Sequence, residues 1–187
     1  MRIIGGQLRG RRITGPASDV TRPMVDRIRQ ALFNVLEHRD FNLARCNHVE
    51  GARVLDAFCG TGALALEALS RGAAEATLMD IDAGAVQVAK DNVKVLGLTE
   101  RARVLKANAT SPPTPAAAHD LVLLSPPYYR NLLLPALAAL SNAGWIAPDA
   151  LIVGHVGEQE HITFPDAFAL QHERLYGDSR FYFLTQR

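Results

Sequence analysis

Val54-Leu55-Asp56-Ala57-Phe58-Cys59-Gly60-Thr61-Gly62 decides the fold. An apolar run over residues 52–56 has the length and bulk of a buried strand. The Gly-x-Gly turn lets the chain reverse, because glycine tolerates positive φ and close approach by other groups. Residues 60–70 then read as a helix that starts with the glycines and continues through the strong helix formers Ala63-Leu64-Ala65-Leu66-Glu67-Ala68-Leu69-Ser70, and Gly72 stops it. Strand, glycine turn and helix repeat downstream. Residues 76–79 read as a second strand. Asp82 caps a helix whose apolar face is Val86, Ala89, Val93 and Leu96, and Gly97 ends it. Residues 103–106, 121–124 and 151–153 read as three more strands, with a helix over 131–142. Residues 168–176 and 180–185 read as a strand pair turning at Gly177-Asp178.

Strict alternation of strands and helices predicts an α/β fold, a Rossmann-like doubly wound, mostly parallel sheet. The continuous apolar strands agree, because a parallel sheet is buried on both faces. The last two strands predict an antiparallel hairpin at one edge. Upstream, residues 2–4 and 11–14 read as a small β-hairpin around a glycine-rich turn. Pro23 fits a first helical position, and Val25, Ile28, Leu32 and Val35 recur at helical spacing toward His38. Two units are therefore expected. Residues 1–40 form a basic hairpin-and-helix extension, and residues 41–187 form the Rossmann-like domain.

Ligands of such sheets bind beyond the carboxyl ends of the strands, and the polar motifs fall there. Asp56 and the turn of Phe58, Gly60 and Gly62 lack the third glycine of a dinucleotide fingerprint. A carboxylate beside the turn suits a cationic ligand without phosphate, and S-adenosylmethionine carries an ammonium and a sulfonium. Asp80, twenty residues after Gly60, can accept hydrogen bonds from both ribose hydroxyls, and Ile81 follows it. Asn108 either meets the adenine edge or forms a turn. Ser125-Pro126-Pro127-Tyr128 follows the fourth strand. Two prolines stiffen the backbone, so a carbonyl and the Ser125 oxygen can point at one exocyclic amine of a base. Tyr128 offers a face for stacking a flipped or unpaired base.

Net charge is only +1, yet residues 1–29 hold seven arginines against two aspartates. That segment carries +5, which leaves −4 for the rest. Such asymmetry favours a polyanionic partner, here RNA or DNA, although a solvated arm has the same composition. The candidate contacts are Arg2, Arg9, Arg11, Arg12, Arg22 and Arg27. The six histidines are scattered, and Cys46 and Cys59 have no metal-ligand spacing, so no metal is expected. Cys59 lies in the cofactor turn and reads as a packing residue rather than a nucleophile. No segment approaches the roughly 18 consecutive apolar residues of a membrane span. The N-terminus lacks an apolar signal core, so a cytoplasmic protein with free thiols is expected.

The middle of the chain resembles class I S-adenosylmethionine-dependent methyltransferases that carry an Asp/Asn/Ser-Pro-Pro-aromatic motif. The N-terminus is similar to that of the RsmD family. The residues that carry this are Met1-Arg2-Ile3-Ile4-Gly5-Gly6, Arg9-Gly10-Arg11, Arg22-Pro23 and Asp26-Arg27-Ile28-Arg29-Gln30-Ala31-Leu32-Phe33-Asn34. Gly62-Ala63-Leu64, Glu67-Ala68-Leu69-Ser70-Arg71-Gly72-Ala73 and Tyr176-Gly177 extend the likeness over nearly the whole chain. The resemblance implies a bacterial cytoplasmic enzyme that methylates guanine N2 in 16S ribosomal RNA. Its substrate would be an assembled or assembling 30S subunit. A monomer is expected. Ser125 stands where the family usually has Asp or Asn, and Met24 where a threonine usually follows Arg-Pro. A DNA amino-methyltransferase acting on cytosine N4 or adenine N6, a protein-glutamine methyltransferase and a non-catalytic RNA-binding assembly factor are the rival readings. The chain shows no large target-recognition domain for the first of these. The second more usually has Asn-Pro-Pro-Tyr, and joint retention of Asp56, Gly60, Gly62, Asp80 and Pro126–Tyr128 argues against the last.

Overall fold

Seven strands form one mixed sheet in the order β3-β2-β1-β4-β5-β7-β6. This is a computed structural model, and it describes residues 1–15, 24–41, 43 and 46–187. The strands are β1 (Arg53–Ala57), β2 (Glu75–Asp80), β3 (Ala102–Lys106), β4 (His119–Leu124), β5 (Ile146–Gly157), β6 (Phe168–Tyr176) and β7 (Ser179–Gln186). The helices are α1 (Asp26–His38), α2 (Ala63–Ser70), α3 (Ala83–Leu96) and α4 (Leu133–Asn142). Strands β1 to β5 pair in parallel, and β7 enters antiparallel between β5 and β6. The expected parallel sheet with an edge hairpin is thus present.

Alternate side chains of each strand feed two separate cores. On one face Val54, Leu121, Leu123 and Val153 pack with α1, α2 and α3. On the other Leu55, Val122, Leu124 and Ile152 pack with α4 and Trp145. The chain moves outward from β1 to β3 and then returns to β4 on the other side of β1. The topological switch point, where ligands of such sheets bind, therefore lies between the carboxyl ends of β1 and β4.

Local signals set most element ends. Asp82 accepts from the Ala85 amide at 2.7 Å and caps α3, which closes at Gly97 with φ 72°. Three sequence expectations need adjustment. Helix α2 begins at Ala63, because Gly60 and Gly62 are both left-handed, at φ 53° and 79°. Helix α4 begins at Leu133, because Asn131 has φ 53°. Strand β5 runs from 146 to 157 rather than 151 to 153. Helix α1 starts at Asp26 with Val25 as its N-cap, and Pro23 lies outside the described residues.

The N-terminal hairpin is held by one bridge, Arg2 to Arg12, and backbone bonds such as Ile3 N–H to Arg11 O at 2.9 Å. Its two buried residues, Ile3 and Ile13, join the core of the α1–α3 face. A buried carboxylate fixes it further. Glu67 of α2 is fully buried and accepts from the Ile4 and Gly5 amides at 2.9 and 2.7 Å. It also accepts from Arg71 Nε at 2.8 Å and lies 3.7 Å from Arg29 Nε.

Candidate active site

The carboxyl end of β1 carries Asp56, which is 1% exposed. Its Oδ2 accepts from the Ala65 amide of α2 at 3.1 Å, whereas its Oδ1 is buried without a partner. Burial raises the Asp56 carboxyl to about 7, and the nearby Asp80 charge pushes the same way, against the Ala65 hydrogen bond. A buried oxygen left without a donor is an open acceptor for a cationic ligand.

Phe58 follows with φ 68°, a conformation that costs energy for any side chain but glycine. The turn is fixed by Cys59 N–H to Met79 O at 2.9 Å and by Gly60 N–H to Asp80 Oδ2 at 2.8 Å. A Cβ on Gly60 would point into open space, so the backbone there is bare to a ligand. A Cβ on Gly62 would lie 2.5 Å from Leu78, so that glycine is needed for helix–sheet packing. Asp80 Oδ1 accepts from the Asp82 amide at 3.0 Å, so each Asp80 oxygen takes one backbone donor. A carboxylate has about four acceptor positions, so capacity for a diol remains. Ile81 beside it is 62% exposed. Asn108 Oδ1 accepts from Thr110 N and Oγ1 at 2.9 and 2.8 Å, so its oxygen closes a turn. Only its NH2 is left to offer a ligand edge. Cys59 is buried and its thiol is pushed far up by burial and by Asp56, so it stays protonated and un-nucleophilic.

The loop after β4 sits beside this turn. Ser125 N–H reaches Ala57 O at 3.4 Å. Ser125 is half-buried, Pro126 buried and Pro127 exposed. Ser125 Oγ lies 2.7 Å from His155 Nδ1, and Tyr128 Oη lies 2.6 Å from His155 Nε2. Tyr128 Oη also lies 2.9 Å from Ser179 Oγ. The His155 ring stacks on Phe181 at 4.5 Å and 7°. Burial lowers this imidazole to about 4, against the pull of Asp178, so it is neutral at physiological pH. Burial also raises the Tyr128 phenol, which stays protonated. Next in sequence, Tyr129 is 57% exposed with φ 59°. The loop therefore presents two aromatic side chains, and the first is tethered through its hydroxyl.

Asp56, Phe58, Gly60, Gly62, Asp80, Ile81 and Asn108 thus gather with Ser125–Tyr128 at one end of the sheet. His155, Ser179 and Tyr129 had not been expected there. His155 arrives through strand register: β4–β5 pairing sets Leu124 against Gly154, and so places His155 abreast of Ser125.

Among the described residues, none of the expected arginine contacts is among the groups bonded in this cluster. Arg2 pairs with Asp26 at 3.1 Å, and Arg11 Nη2 donates to Val95 O at 2.9 Å. Arg9, Arg12 and Arg27 are exposed, and Arg22 lies outside the described residues. The hairpin nonetheless reaches the cofactor turn through buried Asn92. Asn92 accepts from Thr14 N at 2.7 Å and donates to Thr61 O at 3.0 Å. Among the described residues, no group of three or more His, Cys, Asp or Glu could hold a metal, and no helix is long and apolar enough to cross a membrane.

The family described as conserved hypothetical protein 95 matches residues 1–185. The ribosomal RNA small subunit methyltransferase D of Escherichia coli is 39% identical over 179 residues, covering 95% of this chain and 85% of its own. The Haemophilus influenzae protein of the same name is 30% identical over 181 residues, covering 95% and 89%. A solved Escherichia coli structure, described as a candidate methyltransferase, superposes with a TM-score of 0.81 at 35% identity, covering 100% of this chain and 98% of that one.

Proposed function

Since the chain belongs to the family described as conserved hypothetical protein 95, we propose that it methylates the exocyclic N2 amine of a guanine in 16S ribosomal RNA, with S-adenosylmethionine as methyl donor. It is a class I methyltransferase by fold and family. One observation carries the reading: β1 and β4 are neighbours, so the cofactor-type turn and the Ser-Pro-Pro-Tyr loop meet at Ala57 and Ser125.

The residues present fit the cofactor. The open oxygen of Asp56 would take the ammonium, Asp80 the ribose hydroxyls, and Phe58 and Ile81 would flank the adenine, with the Asn108 amide at its edge. Bare backbone at Gly60 leaves room beside the turn. When bound, S-adenosylmethionine supplies an electrophilic methyl group on a sulfonium. The chain's own work is to aim a poor nucleophile at that group. An amine whose lone pair is delocalised into the ring reacts only when held and oriented. Ser125 Oγ and the Pro126 carbonyl accept its two N–H bonds, and Tyr128 flanks the base.

Residues 1–40 act as an RNA-binding extension on the catalytic domain of residues 41–187. Arg2, Arg9, Arg11, Arg12, Arg22 and Arg27 would hold phosphates and position the RNA without reading its sequence. The enzyme works in the cytoplasm as a monomer on an assembled or assembling 30S subunit. The test is transfer of labelled methyl from S-adenosylmethionine by the purified protein. Label in 16S RNA of undermethylated small-subunit particles supports the reading. Label only in DNA or in ribosomal protein would refute it.

A further inference from the structure

Ser125 is a hydroxyl, which either donates or accepts a hydrogen bond, whereas the amine-holding role needs an acceptor. The structure contains a device that removes the ambiguity. Five side chains follow one another at hydrogen-bonding distance. Ser125 Oγ meets His155 Nδ1 at 2.7 Å, and His155 Nε2 meets Tyr128 Oη at 2.6 Å. Tyr128 Oη meets Ser179 Oγ at 2.9 Å, and Ser179 Oγ donates to Asp178 Oδ1 at 3.4 Å.

The last member sets the direction of the rest. An ionised carboxylate only accepts. Ser179 therefore spends its proton on Asp178 and accepts from Tyr128. Tyr128 in turn accepts from Nε2–H. A neutral imidazole has one donor nitrogen and one acceptor nitrogen. Nδ1 is then the acceptor, and the Ser125 proton points inward to it. The outward side of Ser125 Oγ is left with lone pairs only. Burial holds the ring in the neutral state that this pattern needs. Stacking on Phe181 fixes its plane. Tyr128 bonds the ring directly, and the Asp178 charge acts on it from farther along the same chain.

We propose that His155 is a positioning residue that turns the Ser125 hydroxyl into an obligatory hydrogen-bond acceptor for the substrate amine, its ring linking Ser125 to the Tyr128–Ser179–Asp178 chain. The consequence is specificity as well as aim. An acceptor-only oxygen welcomes an N–H donor and repels a carbonyl oxygen offered to the same point. The chain also gives Tyr128 a second task, since its hydroxyl orients the ring that orients Ser125.

This inference rests on the amine-methylation reading above, so its test has one arm that needs no methyl transfer. In protein labelled with 15N-histidine, nitrogen–proton correlation spectra report the tautomer of His155 directly. The expected state is Nε2–H with Nδ1 unprotonated. An Nδ1–H tautomer overturns the proposal whatever the substrate is. The Ser179→Ala variant leaves the histidine packing in place but frees the Tyr128 proton for Nε2. It should move the tautomer toward Nδ1–H, and an unmoved tautomer contradicts the directed chain.

The second arm is a kinetic cycle on ribosomal RNA. His155→Ala should lower kcat by roughly ten- to a hundredfold, the scale of a misaligned reacting group, with cofactor affinity unchanged. In a Ser125→Asn background the amide oxygen needs no histidine to make it an acceptor. There the same His155→Ala change should cost less than about threefold. Equal losses in both backgrounds would mean that His155 serves packing alone, and would overturn the proposal. Absence of any guanine methylation by the wild-type protein would instead count against the function, and the tautomer would still decide the inference.

Discussion

Asp56 couples the charge of the cofactor pocket to pH in a way that can be measured without RNA. Its carboxyl rises to about 7 because it is fully buried, with one oxygen unpartnered. Between about pH 4 and 7 the folded protein keeps a proton that the unfolded chain has lost. By linkage, stability then falls as pH rises through that window, and the whole penalty is present above about pH 7. A shift of roughly three units at about 1.4 kcal/mol each makes it on the order of 4 kcal/mol. Asp56→Asn should therefore stabilise the cofactor-free protein at about pH 8, by up to about that amount, and much less near pH 4. A cationic ligand beside Asp56 reverses the preference and favours the ionised carboxylate. S-adenosylmethionine binding should then release up to about one proton near pH 6, and its affinity should weaken by up to about tenfold per pH unit below 7. Calorimetric titration in two buffers of different ionisation heat measures both quantities, and Asp56→Asn should abolish the proton release. An affinity constant between about pH 5.5 and 8, with no proton exchanged, would refute the placement of a cation at this carboxylate.

Glu67→Ala orphans the Ile4 and Gly5 amides and removes the buried carboxylate that Arg71 Nε bonds at 2.8 Å and that Arg29 Nε faces at 3.7 Å. Removing one partner of such a buried network costs about 3–5 kcal/mol, so thermal unfolding should move down by on the order of 10 °C; a shift below about 2 °C would contradict the docking role given to this carboxylate. Joint replacement of Arg9, Arg11 and Arg12 by Ala should lower the log–log salt slope of RNA binding by up to about 2–3, at most ~0.9 per lost contact. Cofactor affinity should hold, because the Thr14–Asn92–Thr61 bridge uses none of the three side chains; an unchanged slope with full activity would show that RNA docks elsewhere. Asp80→Ala should weaken S-adenosylmethionine binding by roughly ten- to a hundredfold through loss of charge-assisted bonds to the ribose, and calorimetry that finds wild-type affinity would remove Asp80 from the site.

Much of this molecule is legible locally. The turn after β1, the Asp82 cap and the Gly97 stop are signals within a few residues, and they put the expected cofactor residues at one end of the sheet. What stays hidden depends on distant partners. Glu67 lies in an apolar helical run, and nothing near it in sequence marks its carboxylate as buried. It is buried because amides more than sixty residues away bond to it. His155 follows Gly154, where the apolar run of β5 breaks, so the strand reads as ending at 153. Pairing with β4 and β7 carries it on to Gly157 and turns the histidine onto Phe181. Tyr128 is visible as an aromatic in a proline motif, but its hydroxyl partners come from β5 and β7. The starts of α2 and α4 moved inward because left-handed residues precede them, a backbone property that composition conveys poorly.

The central claim is that this chain places one methyl group on N2 of a guanine in small-subunit ribosomal RNA. Mass-spectrometric mapping of modified nucleotides in 16S RNA, from cells with and without the protein, tests it most directly. The account predicts a single N2-methylguanosine that disappears with the protein and returns when purified enzyme and S-adenosylmethionine are added to the deficient 30S particles. Identical maps from the two sources, or a lost methyl on any other base, would contradict it.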